Sequence, residues 1–415
     1  LFFLLLLIFS CSKQNYTSVS NKSTPKAYNF ASIYNPAKAP LIFSHSIYIK
    51  SDSSADVYFD IDFVKANFNK NNQQTNIDDK QFYIKYLLRK MNNEFVDSST
   101  YKYNLKDFTN FSNYFTVKLL NKEQYKITIA IYDKQYRFSH RLVSFIDNST
   151  KYSQNNYLLE KLDTNSVEIL HNNYIISDNK YKIICKNTEK LSIEYFRPIE
   201  YIFNPPYQFN ITKKNAVIVP DTTFYYITND TIVFKEIGNY IIKNTSTGQI
   251  IFNILNSSDS YPEITTVGNM LEPLKIITTE REYKKISQNE NIKQTIDEYW
   301  LSLSNSQKLA KEQIRVFYNR VKLANIFFAE DIDGWKTDRG MIYVLFGPPS
   351  VINLSDQGED WYYGENPNVA AILFVFEKKE SKSTKISYQL LRDNAYQPTW
   401  AQALSVWRKG RIFSL

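Results

Sequence analysis

The feature that most narrows what this chain can fold into is a two-residue alternation of apolar side chains that recurs from Leu41 to Leu255. Val57, Phe59 and Ile61 are separated by Tyr58 and Asp60; Phe82, Ile84, Tyr86 and Leu88 repeat the spacing, as do Phe115, Val117 and Leu119, and then Tyr125, Ile127, Ile129 and Ile131. Successive side chains of a strand point to opposite faces, so this period buries one face and leaves the other wet. With polar Asn, Asp, Ser and Lys connections between the runs, it predicts an antiparallel β-sandwich of immunoglobulin-like type over residues 41–147. After the polar break Asp147-Asn148-Ser149-Thr150, a second set predicts another such sandwich over residues 151–256; it runs from Tyr181, Ile183 and Cys185 to Ile250, Phe252 and Ile254. Asn204-Pro205-Pro206-Tyr207 cannot lie in a central strand, because proline has no N–H to donate, and reads as a rigid connection.

Beyond a linker at 262–279 the period changes. Ile292, Ile296, Tyr299, Trp300 and Leu303 fall on one helical face, and so do Ala310, Ile314, Phe317, Val321, Ala324 and Phe328. Ser304 with Gln307 has the form of a capping box for the second helix. Three strands and a final helix around Trp400, Leu404 and Trp407 complete an expected α+β domain over 280–415, so the fold class is mixed and multidomain. Composition marks the same division: no glycine precedes Gly238, six follow from Gly334 onward, and all five tryptophans lie between Trp300 and Trp407. A formal charge of +8 over 415 residues is too diluted to make nucleic acid the partner.

Residues 1–9 form an unbroken apolar run, shorter than the roughly 20 residues a spanning helix needs, and read as the core of a signal peptide whose start precedes Leu1. The run ends in Ile8-Phe9-Ser10-Cys11, which resembles the bacterial lipobox. The resemblance implies a diacylglyceryl group on Cys11, cleavage before it and acylation of the new amine. Two or three acyl chains make a stable bilayer anchor where one gives only reversible binding. Residues 1–11 are thus a lipoprotein signal segment, and Pro-, Ser- and Asn-containing residues 12–40 a flexible tether. Cys185 on an apolar face reads as a small buried hydrophobe.

Asp333-Gly334-Trp335-Lys336-Thr337-Asp338-Arg339-Gly340 follows the second helix, then Met341-Ile342-Tyr343-Val344-Leu345-Phe346 and Gly347-Pro348-Pro349. Gly334, Trp335, Thr337 and Asp338 resemble the pattern that names the GWxTD-domain family of Bacteroidetes-type bacterial lipoproteins. Phe317-Tyr318-Asn319-Arg320-Val321 and Asp360-Trp361-Tyr362-Tyr363 resemble its flanking elements. The resemblance covers residues 280–415 and implies an envelope location; it brings no biochemical activity with it. Physically, Thr337 is placed to cap a short helix over 338–346, Asp338 to complement its dipole, and Gly347 with Pro348 to stop it. The β-branched and aromatic content of the same stretch leaves a strand as the competing reading.

Functionally, the sequence points first to an anchored, non-catalytic interaction or scaffold protein of the cell envelope. Its partners are the lipid bilayer, through acylated Cys11, and an envelope protein. The candidate contact patch is Trp335, Thr337, Asp338, Arg339, Gly347, Pro348 and Trp361, since Trp and Arg are favoured interface anchors. The competing reading puts the tryptophans in the domain's own core, with Arg339 paired to Asp338 or Asp333. Surface adhesion or glycan capture by the sandwiches is the alternative function. An envelope polysaccharide hydrolase built on Glu330, Asp331, Asp333 and Asp338 ranks lower, as does calcium binding by Asp331-Ile332-Asp333-Gly334, which lacks the distal Glu of an EF-hand loop. The three histidines, His45, His140 and His171, all lie outside the GWxTD segment, so no catalytic residue, metal or cofactor is assigned. The absence of an acidic cluster in Ser12-Lys13-Gln14-Asn15 favours the periplasmic face of the outer membrane.

Overall fold

A computed structural model describes residues 29–36, 41–62, 81–104, 110–133, 139–163, 166–209, 219–304, 306–355, 357–364, 372–379 and 387–414. The apolar run at 1–9 and Cys11 lie outside the described residues. The first unit holds β1 (Ile42–Ser51), β2 (Ser54–Asp62), β3 (Gln81–Lys90), β4 (Phe95–Asn104), β5 (Phe111–Lys118), β6 (Gln124–Asp133) and β7 (Ser139–Asp147). These form two antiparallel sheets, in the orders β1-β2-β5 and β4-β3-β6-β7. The alternation is realised as read: Val57, Phe59 and Ile61 from one sheet and Ile84, Ile127, Ile129 and Ile131 from the other enter a single core. On the opposite face of β2, Tyr58 and Asp60 keep contact with solvent.

The second unit holds β8 (Tyr157–Leu162), β9 (Val167–Ile169), β10 (Tyr174–Ile176), β11 (Lys180–Cys185), β12 (Lys190–Phe196), β13 (Thr222–Ile227), β14 (Thr231–Val233), β15 (Gly238–Asn244) and β16 (Ile250–Ser257). Its sheets run β14-β11-β8-β9 and β10-β16-β15-β12-β13. All pairings are antiparallel except β10 with β16, which is parallel. That pair corrects the expectation of a wholly antiparallel unit; a three-residue strand carries too little pattern for its direction to be read. Cys185 is buried, and burial raises its thiol pKa.

The C-terminal unit holds α1 (Val267–Leu271), α2 (Glu280–Ser287), α3 (Ile292–Leu303), α4 (Gln307–Phe328), α5 (Asp338–Phe346), a sheet of β17 (Val351–Ser355), β18 (Gly358–Tyr363), β19 (Ile372–Lys379) and β20 (Ser387–Leu390), and α6 (Tyr396–Arg408). The expected linker at 262–279 is instead folded, with Leu274, Ile276 and Ile277 buried in this unit's core. The cap of α4 is Ser306, whose hydroxyl accepts from the Leu309 amide, rather than Ser304. Ser304 ends α3, and its hydroxyl donates to Gln313. The residue pattern S-x-x-Q fits a cap, but the chain between α3 and α4 turns two residues later.

The largest departure concerns the tether. Ala31–Tyr34 form a 3₁₀ turn, and Ala31 and Tyr34 belong to the C-terminal core. The Asn29 amide donates to the Ser350 carbonyl at 3.0 Å, the Phe30 N–H to Ile352 at 3.0 Å, and the Tyr343 hydroxyl to the Tyr34 carbonyl at 2.8 Å. A segment of linker composition is therefore held more than 300 residues away in sequence, because two apolar side chains and a few backbone groups find partners there. Tyr34→Ala should cost about 3 kcal/mol in urea denaturation, as for other large-to-small core changes; a free tether would give no change.

Candidate functional site

The GWxTD segment lies between α4 and the sheet. Gly334–Lys336 form a 3₁₀ turn packed on α4, and α5 starts two residues later. A Cβ at Gly334 would fall on the Ala324 carbonyl, and one at Gly340 on the Gly334 carbonyl, so both glycines permit backbone-to-backbone approach. The Trp335 N–H donates to Asn325 Oδ1 at 3.3 Å, and the Thr337 hydroxyl donates to the Gly334 carbonyl at 2.7 Å while accepting from the Gly340 amide at 3.0 Å. Thr337 is thus the cap read from the sequence, and residues 338–346 are the short helix rather than the strand. Nearly the whole of α5 is buried, which explains the apolar content that favoured a strand.

Asp338 accepts from the Leu390 amide at 2.9 Å and from Arg392 Nη2 at 2.5 Å. The other end of Arg392 donates to the Asn204 and Pro205 carbonyls at 3.1 and 2.7 Å. Trp335 meets Tyr201 edge to face at 5.1 Å. The rigid Pro-Pro connection therefore docks on the motif, and Asp338 acts through Arg392 as well as at the helix start.

Arg339 corrects its expected pairing. It reaches neither Asp338 nor Asp333; Nη1 donates to Glu359 Oε1 at 3.0 Å and Nη2 to Glu330 Oε1 at 3.1 Å. Its guanidinium lies 3.7 Å over the Tyr388 ring and 5.1 Å over Phe328. Glu359 also accepts from the Tyr34 hydroxyl at 3.0 Å and from Trp361 Nε1 at 2.7 Å. Burial alone lowers the Arg339 pKa, but Glu359, Tyr34 and Glu330 outweigh it and hold the group firmly charged. Burial lifts the Glu330 carboxyl to about 7 against the opposing pull of Arg339. One guanidinium thus faces two carboxyl groups, and burial favours the protonated form of Glu330.

A second buried arginine closes the end of α5. Arg320 Nη1 donates to the Val344 and Leu345 carbonyls at 3.3 and 3.1 Å, and Nη2 to Phe413 at 3.0 Å. Gly347, at φ 84°, ends α5 beside that guanidinium, where a Cβ would strike it. Pro348 follows with partial exposure. Desolvation lowers the Arg320 pKa to about 10.

Trp335, Thr337, Arg339 and Trp361 are buried, the last completely, so they form the domain's interior rather than an exposed contact surface. Three of the four acids considered for hydrolysis are likewise engaged apart: Glu330 with Arg339, Asp338 with Arg392, and Asp333 with Lys336 at 2.9 Å. Lys336 bridges onward to Glu272 at 2.8 Å. Among the described residues no group of three or more His, Cys, Asp and Glu is placed to hold a metal ion. Sequence reasoning missed Glu330 and Glu359 as partners of Arg339, and Tyr34 altogether; an alternating strand residue that is acidic on the inward side of β18, as Glu359 is, was the one available signal.

Residues 238–409 match the family model of the GWxTD domain, and the chain carries that domain. The match starts at β15 and ends at residue 409, so it takes in the last two strands of the second unit and most of the expected 280–415 region. No curated protein matches the chain.

The charge balance has a measurable consequence. A carboxyl with a folded pKa above its unfolded value of 4.5 favours the folded state in acid, and loses that advantage as pH rises through 4.5 to about 7. Relative to Glu330→Gln, the native protein should lose about 3 kcal/mol of unfolding free energy between pH 4.5 and 8, measured by urea titration. A stability difference independent of pH contradicts the assignment.

Proposed function

We propose that the protein is a lipid-anchored, non-catalytic scaffold of the cell envelope, whose GWxTD motif holds the molecule together rather than touching a partner directly. The observation that carries this reading is the docking of residues 29–36 into the C-terminal core through Asn29, Phe30 and Tyr34. Only residues 12–28 separate Cys11 from Asn29, a stretch that reaches at most about 60 Å when fully extended. An acyl chain on Cys11 would therefore hold the docked segment, and with it the C-terminal unit, within that distance of the bilayer. The lipobox-like Ile8-Phe9-Ser10-Cys11 supports the anchor, and among the described residues no helix is long and apolar enough to cross a membrane. Outer-membrane residence on the periplasmic side and an envelope protein as partner complete the proposal.

Both β units are read as immunoglobulin-like sandwiches. In each, residues from two sheets fill one core, which suits a modular scaffold. A second reading, capture of a glycan or protein by the β units, is favoured by Tyr225 and Ile227, which stand exposed on the edge strand β13. An exposed sheet edge can accept an extended peptide as an added strand.

The test is Cys11→Ser in cells. The anchored-scaffold proposal expects the variant in the soluble envelope fraction and the native protein in the membrane fraction, with crosslinks from the native C-terminal unit to an envelope protein. Retention of the variant in the membrane overturns the anchor. Crosslinks confined to the β13 edge favour the capture reading.

A further inference from the structure

Sequence order scatters the chain's three histidines over more than 120 residues, on β1, on β7 and just before β10, yet all three line one cavity of about 240 Å³. Its walls come from four parts of the molecule. His45 and Phe43 belong to β1, His140 to β7, His171 and Asn172 to the second unit, Ile33 and Tyr34 to the docked segment, and Ile326, Phe327 and Ala329 to the end of α4. This cavity is where both β units meet the GWxTD domain.

The three rings have different surroundings. His171 ties the β units to each other: Nδ1 lies 2.8 Å from Ser46 Oγ and Nε2 3.5 Å from Asp60 Oδ2, beside a bond from the Ser46 hydroxyl to the Leu170 carbonyl at 3.2 Å. His140 is buried, and its ring hydrogen-bonds to the Ser32 backbone, while Nδ1 has no partner. A neutral imidazole tolerates this, since the unpartnered atom is then a lone pair. Protonation turns it into a buried N–H with no acceptor, beside a charge in an apolar wall. His45 stacks on Phe43 at 5.8 Å, and Phe43 also contacts the His140 ring at 6.3 Å. Among the described residues, the titratable groups that line the cavity with His45 and His140 are His171 from the second unit and the Tyr34 phenol from the docked segment; Asp60 of β2 is paired to His171. The end of α4 presents only Ile326, Phe327 and Ala329. Among the described residues the lining of the cavity holds no carboxylate to receive a proton-bearing His45 or His140.

We propose that this histidine cluster is a pH-sensitive latch: neutral rings seal the first β unit against the docked segment and the GWxTD domain, and protonation in mild acid releases that contact. Desolvation, with mutual repulsion from the other rings at His45, lowers the pKa of His45 and of His140 to about 4 from 6.5. Each group therefore stabilises the closed form at neutral pH, and that contribution is lost as pH falls through 6.5 toward 4. At pH 5 the open-to-closed ratio rises about 30-fold for each ring, or about a thousand-fold for the pair. The latch acts within the chain and does not depend on the lipid anchor.

The experiment follows the radius of gyration of the full chain by small-angle scattering from pH 8 to pH 4, together with the imidazole resonances of ¹³C-histidine-labelled protein. The latch predicts an expansion coupled to uptake of two protons, with far-UV circular dichroism unchanged. It also predicts that His45→Gln with His140→Gln stays compact over the same range. The wild-type resonances keep the test valid if that double variant fails to fold, because His45 and His140 must then change protonation together with the expansion. A compact wild-type chain whose rings all titrate near 6.5 overturns the proposal. So does loss of strand signal along with the expansion, which is global unfolding, or a shift of all three rings on adding zinc at pH 7.5, which makes the cluster a metal site.

Discussion

The buried guanidinium of Arg339 is the interaction on which the rest of the C-terminal unit depends. It joins α5 to Glu330 beyond the end of α4 and to Glu359 on β18, and Glu359 in turn receives Tyr34 from the docked segment and Trp361 from its own strand. A guanidinium suits this position because its planar fork of donors serves two carboxylates at once and its face stacks on Tyr388. Enclosing such charges is expensive, and removing one member of a buried pair leaves the other uncompensated. The GWxTD segment is placed by this demand: Gly334 and Gly340 let the turn and helix come close enough to α4 for Arg339 to reach both acids.

The same geometry shows what the motif residues hold together. Residues with the chemistry of an interface, two tryptophans and an arginine, are used to unite distant parts of one chain. Trp335 receives Tyr201 from the second unit, Asp338 reaches the Pro-Pro connection through Arg392, and Trp361 lies beneath Tyr34. The distinctive residues of this domain thus face inward and fix the packing of its elements.

Much of the fold was legible because it rests on local periodicity. The alternation in β2, β3, β5 and β6 and the helical faces of α3 and α4 each follow from which side must be buried, and Thr337 and Gly347 announce the ends of α5 through their own chemistry. What escaped had no local signature. Residues 29–36 have the composition of a linker and acquire structure only from β17 and α5; the linker expected at 262–279 is ordered by Leu274 and Ile276 entering a core formed mostly by later residues. The partners of Arg339 lie 9 residues before it and 20 after it, on separate elements. The three histidines, spread across the two β units, gave no hint that the fold gathers them at one junction.

The most direct measurement of whether Arg339 organises the domain is the unfolding free energy of Arg339→Met, a change that keeps much of the side-chain volume and removes the charge. Loss of a buried ion-pair partner predicts a destabilisation of about 3–5 kcal/mol in urea titration at pH 8, where Glu330 and Glu359 would share an interior without a cation. A variant as stable as the native protein would contradict the account.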